Sequence, residues 1–588
     1  MNQSKLKYNI SKLIFSLLCC SQVILAEVLP RDRSFVHSAT IYFEENKVDK
    51  AEKYRIYICT DSTRVNENAA IIKKENIFPS FYCSAFQWGK KYFWQVIAFD
   101  SKGKKISKGA LHVFTMVEEV GSPHFDSLRI EIITNKPNKH AGGFLVIDYM
   151  RGIYDRTGKP VWKVPTIDGY INVSSELRDL KFTKDNSITL LSDSRPLEID
   201  LNGNLLWSLP SPFVFMGDTV TFHHDFEKTK RNTYLLLANK PVKRRVYDND
   251  AAGSKKSQTV YEEKDGVKYA GTEVGVIIEM TEKAEVLWWW DAGTYLSDID
   301  LNYKKRPDGI AQMQSHANAV GISDDDTKVF LGFRDLSRVL VIDKASKRVQ
   351  ISYGEKYPSG EAKWGNTLFN QQHDANPTNR NSFYVFNNNG PRGKFGVSSI
   401  YELTADSSKV ENPVLWKFSL DFDTLTKGRS GSGGNVNELP NSNILLCAGQ
   451  LNRLFEVTKD KEVVWDGLIY ALQKSDGKWH AMPNYRSSWV DKVQVRNLYT
   501  ELRGLAIPET KSLKFELRIY DALEPNDSYD IVCDKASIEK KIVHSRTKNA
   551  GELIEIKLSN IESHQVEMVI VSKSNPNVKK RLTLINKN

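Results

Sequence analysis

From about Ser127 to about Val495 the chain repeats one pattern of apolar and polar positions. The unit is an apolar strand, an apolar–acidic–apolar segment, a polar turn, and a strand that usually carries tryptophan. The first two instances are VIDYMRGIYDRTGKPVWKV around Trp162 and LLSDSRPLEIDLNGNLLWSL around Trp207. VGVIIEMTEKAEVLWWW at Trp288 to Trp290 and VLVIDKASKRVQISYG at Val339 to Gly354 follow. SSIYELTADSSKVENPVLWKF at Trp416 and LNRLFEVTKDKEVVWDG at Trp465 complete the set. Insertions such as Tyr247 to Lys268 make the spacing irregular. Short hairpins recurring at roughly 40–50 residues predict a β-propeller, here of about six blades. A sandwich does not absorb so many equal hairpins, and the 3.6 period of a helical solenoid is missing.

Two flanking segments alternate at period two as well. Residues 27–120 contain SATIYF, YRIYIC and KYFWQVIAFD, the last followed by the turn Ser101-Lys102-Gly103. They predict an N-terminal β-sandwich resembling fibronectin type III modules, with a role in packing, spacing or homodimer formation. Residues 498–588 contain LKFELRIYD, ELIEIKLSN and QVEMVIVSK and predict a C-terminal β module, with Asp527 to Ile538 turning helical. The propeller takes residues 125–495, so the whole is expected to be all-β.

The first 26 residues do not share this pattern. Lys5, Lys7 and Lys12 precede the apolar run Leu13 to Leu25, which predicts a secretory signal peptide over 1–26 cleaved after Ala26. Leu17-Leu18-Cys19-Cys20 offers a lipoprotein alternative, but small residues are missing before either cysteine. No later stretch reaches the ~18 apolar residues of a membrane span. A periplasmic or secreted protein is expected. Losing three lysines lowers the net charge from +10 to +7, mild over this length, and no Lys/Arg block of nucleic-acid type appears. Cys59, Cys83, Cys447 and Cys533 remain. None lies in a zinc-type spacing, and Cys59 with Cys83 share one small domain where a bridge could form.

Candidate chemistry centres on SHANAVGISDDDTKVFLGFR, Ser315 to Arg334. His316 and Asn318 are expected on one side of an extended strand, and the return strand brings Arg334 back to them. Imidazole, carboxamide and guanidinium form a donor cluster without a carboxylate, which suits a tetrahedral oxyanion ester better than a metal ion. His223-His224, His316 and His373 each precede a blade strand at one register. One such histidine is more often a packing residue, but three at one register reverse that. A channel mouth lined by His224, His316, Asn318, Arg334 and His373 is therefore the expected site.

The runs SHANAV…FRD, FNQQHDANPTNRNSFYVFNNNG and SGGNVNELPNSNILLC resemble the bacterial aryl-sulfate sulfotransferases, exported propeller enzymes that move sulfuryl groups between phenols without a nucleotide donor. The resemblance covers the signal peptide, the N-terminal domain and the propeller, and leaves out the last ~90 residues, an ordinary small-domain length. It implies that His373, after Gln372, is the transiently sulfated nucleophile. It further implies roles for the pair His316 and Asn318, for Arg334, and for His224, better placed than His223 before the strand TYLLL. Tyr485-Arg486 would line the substrate. The loop Tyr357 to Asn370 lacks the family's cysteines, and its site threonine has no clear counterpart within Gly431 to Asn435. The expected reaction is ping-pong transfer from a phenolic sulfate to a phenol through a sulfohistidine, with no metal and no cofactor. From another class, a non-catalytic exported propeller used for binding or as a scaffold is the alternative. A quinone-dependent oxidoreductase propeller is a further one, against which the tryptophans read as core.

Overall fold

The computed structural model describes residues 28–66, 68–118, 124–245, 261–303, 315–354, 364–365, 368–389, 396–421, 429–493, 495–506, 513–524, 526–533, 536–538, 542–544, 554–559 and 565–585. The expected signal peptide lies outside them. The chain is all-β, with helix among the described residues confined to Ala292–Tyr295, Asp298–Tyr303 and short 3-10 turns. None is long and apolar enough to cross a membrane. Two compact units emerge, one within Met1–Val117 and Gln494–Asn588, the other within Glu118–Val493.

In the first unit the N-terminal strands form a six-stranded and a two-stranded sheet around Phe43, Trp94 and Phe114. The C-terminal strands form two four-stranded sheets whose apolar faces meet at Phe515, Leu517, Tyr529, Ile556 and Met568. Lys580 binds Glu44 at 2.7 Å, and Phe78 packs on Tyr499 and Tyr520. Ser528–Cys533 and Ser537–Ile538 are strands, not the expected helical turn. Tyr529 and Ile531 alternate inward there, and pairing with Gln565–Ser572 outweighs local propensity. Cys59 and Cys83 are buried, and the possible bridge between them is not formed.

Among the described residues the second unit has six sheets, numbered I to VI below, antiparallel except where Trp364–Gly365 runs parallel beside Val349–Gly354. Their inner strands are Ser487–Val490 (I), Leu177–Phe182 (II), Asp218–Lys228 (III), Ala317–Ile322 (IV), His373–Pro377 (V) and Asn435–Glu438 (VI). Sheet I closes the chain on itself, since Ser487–Val490 pairs with Phe144–Ile147, residues far apart in sequence. Each inner strand contacts the next, and strand VI contacts strand I.

The outer strands make a second closed circuit, and here the tryptophans act. Trp162 Nε1 of sheet I donates to the Leu201 carbonyl of sheet II at 2.8 Å, and Trp207 to Glu282 of sheet III at 2.9 Å. Trp288 reaches Lys344 of sheet IV, Trp416 reaches Lys459 of sheet VI, and Trp465 returns to Arg156 of sheet I. In sheet IV, which lacks the tryptophan, Tyr353 Oη reaches Thr404 of sheet V at 3.1 Å. Trp162, Trp207 and Trp465 are buried and Trp416 half-buried. Burying such a ring contributes at most roughly 4–6 kcal/mol, whereas the N–H bond adds about 1 kcal/mol net. Burial therefore holds the sheets together, and the bond sets the register between them.

Candidate functional site

Four of the inner strands carry an irregularity at the same height. Register shifts fall between Arg178 and Lys181, Phe222 and Phe226, Ala317 and Ala319, and His373 and Asn376. Asp179, His224, His316 and Asp374 sit there with φ of 57°, 60°, 48° and 65°. A bulge breaks strict alternation, so neighbouring side chains can serve different purposes. Left-handed residues other than glycine cost energy and concentrate at functional places.

One set of side chains knits the sheets together. Asp148 accepts from the amides of Asp179 and Leu180, Asp179 from Phe226, Asp225 from Val320, and Asp374 from Val436, at 2.7–3.0 Å. Asn435 exchanges two bonds with Ser487. Asn318, fully buried, donates to the Gln372 carbonyl at 2.8 Å. Arg486, 4% exposed, anchors this layer. Its guanidinium bonds Asp179 at 2.8 Å, Asp225 at 2.9 Å and the Asn318 carbonyl at 2.9 Å. Burial would raise the Asp225 carboxyl, but Arg486 and Lys181 hold it down, to about 2.

The other set converges. The His224 and His316 rings lie 5.2 Å apart edge to face, and the Tyr485 ring is 6.0 Å from both His224 and His373. His223 Nδ1 meets His224 Nδ1 at 2.7 Å. The structure thus brings together His224, His316, His373 and Tyr485, with Arg334 joined through its amide to the His316 carbonyl at 2.9 Å. Asn318 and Arg486 stand behind them in the knitting layer. His316 and Asn318 diverge because the bulge and the left-handed His316 turn them apart, against the expectation of a common side.

Nor is the cluster free of carboxylate. Asp335 Oδ1 takes Arg334 NH1 at 2.7 Å, and Oδ2 lies 3.3 Å from His316 Nδ1. It fixes the guanidinium and imidazole relative to each other. Among the described residues no three His, Cys, Asp or Glu side chains are grouped as metal ligands.

His373 is the most fully determined of the group. Its ring is 2% exposed, and its Nδ1 lies 2.7 Å from Asn388 Oδ1. Asn388 spends its Nδ2 on the carbonyls of Ser430 at 3.0 Å and Gly433 at 2.8 Å. Its oxygen therefore faces His373, which must donate from Nδ1. The lone pair is left on Nε2, where the Gly433 amide points at 3.2 Å. Desolvation, opposed by the Asn388 bond and assisted by the charges of Arg334 and Arg486, lowers this imidazole to about 3. His223 falls to about 4 and His224 well below its ordinary value, both mainly through burial. Burial raises the Tyr485 phenol, which stays protonated, and its oxygen has no hydrogen-bond partner among the described residues.

Sequence pattern alone does not single out Asn388, one of three consecutive asparagines. Asp335 and Arg178 also escape it. The repeated pairs Arg178-Asp179, His224-Asp225 and His373-Asp374 are the signal that places Arg178 in the histidine register.

Solved structures similar to the chain include a protein of unknown function from Bacteroides caccae, 13% identical with a TM-score of 0.35. That match covers 59% of this chain and 98% of that one. An auxiliary nutrient binding protein from Bacteroides thetaiotaomicron is 10% identical, covering 79% and 90%, at 0.28. Kluyveromyces lactis Hsv2 is 8% identical, covering 68% and 95%, at 0.23. Likenesses this loose say nothing of function. No curated protein matches the chain. The model of the arylsulfotransferase (ASST) family matches residues 130–411, a stretch that holds His224, His316, Asn318, Arg334 and His373, and this match supports that family for the chain.

Proposed function

We propose that the protein is an aryl-sulfate sulfotransferase of the nucleotide-independent kind, with the six sheets as blades of a propeller and the converging histidines at its channel mouth. The two closed circuits of inter-sheet hydrogen bonds support the propeller reading. The observation that carries the function is His373, a buried imidazole whose Nδ1–H is committed to Asn388 and whose Nε2 keeps its lone pair.

In the first half-reaction Nε2, released from the Gly433 amide, attacks the sulfur in line. An S–N bond forms as the S–O bond to the aryl group breaks, and the phenoxide leaves. Arg334 and His316, braced by Asp335, and the Tyr485 hydroxyl would meet the sulfuryl oxygens as charge redistributes over them. His224 is unprotonated in the free site, but an arriving sulfate monoanion within a few ångströms favours its charged form. The proton that rescues the phenoxide thus enters with the substrate. In the second half-reaction His224 takes the acceptor phenol's proton while the phenol oxygen attacks sulfur, the S–O bond forming as the S–N bond to His373 breaks. Arg486 supports the floor through Asp179 and Asp225 rather than gripping substrate. Asn318 positions His373 through the Gln372 carbonyl. The basic start and apolar run of residues 1–26 support export to the periplasm or beyond.

His373→Ala should abolish both transfer and covalent labelling by an aryl sulfate in a protein that still melts cooperatively. Near wild-type turnover in that variant would end the proposal.

A further inference from the structure

Arg178 stands at the head of the inner strand of sheet II, in the register that carries His224, His316 and His373 in other sheets. The transfer chemistry above does not use it. Its guanidinium carbon lies 5.2 Å over the Tyr485 ring, the ring that touches both His224 and His373. A planar cation stacked on a phenol is held in place yet keeps the edge of its fork available for an oxyanion.

The three guanidiniums of the region differ in what holds them. Arg486 is buried between two buried aspartates, and Arg334 leans on Asp335, whose side chain is 10% exposed. Arg178 donates from Nε to Glu176 Oε1 at 2.7 Å, and the Glu176 side chain is 57% exposed. A pair so solvated is worth only about 0.2–1 kcal/mol, so an incoming anion competes with it on good terms. Arg178 itself is 32% exposed, enough to be reached from solvent.

We propose that Arg178 is a specificity residue that binds an oxyanion substituent, such as a carboxylate, on the aromatic ring of the substrate. The site would then favour aryl sulfates and phenols that carry a second negative charge. This rests on the sulfotransferase reading, and it names the substrate class that reading leaves open.

The test compares 4-hydroxybenzoate with its neutral isostere 4-methylphenol. Binding to the full-length protein is measured by thermal shift and calorimetry, and acceptor kcat/KM with 4-nitrophenyl sulfate as donor. Wild type should prefer the benzoate. Arg178→Gln should weaken the benzoate about tenfold, the scale of one partly solvated charge-assisted contact, and leave 4-methylphenol within about twofold. Glu176→Gln, which removes the competing carboxylate, should strengthen the benzoate by about threefold. A merely structural Arg178–Glu176 pair would not give opposite signs in the two variants. Equal losses on both phenols, or no change in the benzoate, would overturn the assignment. If wild type binds with this preference but transfers nothing, the transferase reading falls and the anion site stands.

Discussion

Asn388→Ala isolates the claim that a second residue chooses which nitrogen of His373 attacks. The substitution removes the only acceptor shown for Nδ1–H and leaves the carbonyls of Ser430 and Gly433 without their donor. Each of these three buried groups left unpaired costs about 1–3 kcal/mol, so a loss of roughly 3–9 kcal/mol of stability is expected if water does not enter. The chemical effect is separate. Without Asn388 only the Gly433 amide, which donates to Nε2, still favours the Nδ1–H tautomer, so one contact instead of two aims the lone pair. Loss of a group that orients a working histidine typically costs about 10–100-fold, and the Gly433 contact that remains puts this case at the lower end. The assay is the burst of 4-nitrophenol from 4-nitrophenyl sulfate without acceptor, which times His373 sulfation alone, run well below the melting point. Asn443→Ala is the control. Asn443 is as well bonded, to Lys139 and Glu456, but lies away from the histidines, and its loss should lower stability with no change in burst rate. A wild-type burst rate in Asn388→Ala would refute the tautomer argument, whatever happened to the melting point.

Two further outcomes test the same chemistry. Arg334→Lys keeps a charge beside Asp335 but removes the fork, so turnover should fall by roughly 10²–10³ with little change in melting temperature. A large drop in melting temperature with a fully active folded fraction would make Arg334 structural instead. Because burial first, and then the charges of Arg334 and Arg486, lower His373 to about 3, its Nε2 stays unprotonated as the pH falls. The burst rate should therefore be flat from pH 8 to about 5, and a limb near the ordinary histidine value of about 6.5 would contradict it.

Much of this architecture is legible from pattern alone. Trp162, Trp207, Trp416 and Trp465 mark four of the six outer strands because a large ring on a half-buried strand face has one good place to go. The shared register of His224, His316 and His373 is likewise visible, since each precedes its strand by a similar interval. What pattern does not show is side-chain direction at a bulge. Period two puts His316 and Asn318 on one side, yet one extra residue and a left-handed φ send them to different layers. Through-space pairing is equally hidden. Asp335 follows Arg334 directly in sequence, but only the fold shows its second oxygen against His316. Asp527 to Ile538 misleads for a related reason, because the strand Ser528–Cys533 within it is set by pairing with Gln565–Ser572, 35 to 43 residues on.

The bulges explain why reactive and structural residues alternate so closely. Within each of the pairs Arg178-Asp179, His224-Asp225 and His373-Asp374, the first side chain belongs to the converging group and the second to the knitting layer. Arg486, beside Tyr485, does the same with the opposite charge, and it immediately precedes the strand that closes sheet I. Two buried carboxylates, Asp179 and Asp225, face that single guanidinium together with Lys181. Removing a cation from such a cluster leaves buried charge uncompensated, which costs several kcal/mol, far more than any exposed pair in the unit. Closure of the ring of sheets and formation of the site floor are thus one event, because the same arginine is needed for both. Asp148 carries the closure one step further, since its carboxylate spans from sheet I to the amides of Asp179 and Leu180. His224 and His373 can then stay neutral, crowded against His316, because the charges that fix their strands are balanced one layer away.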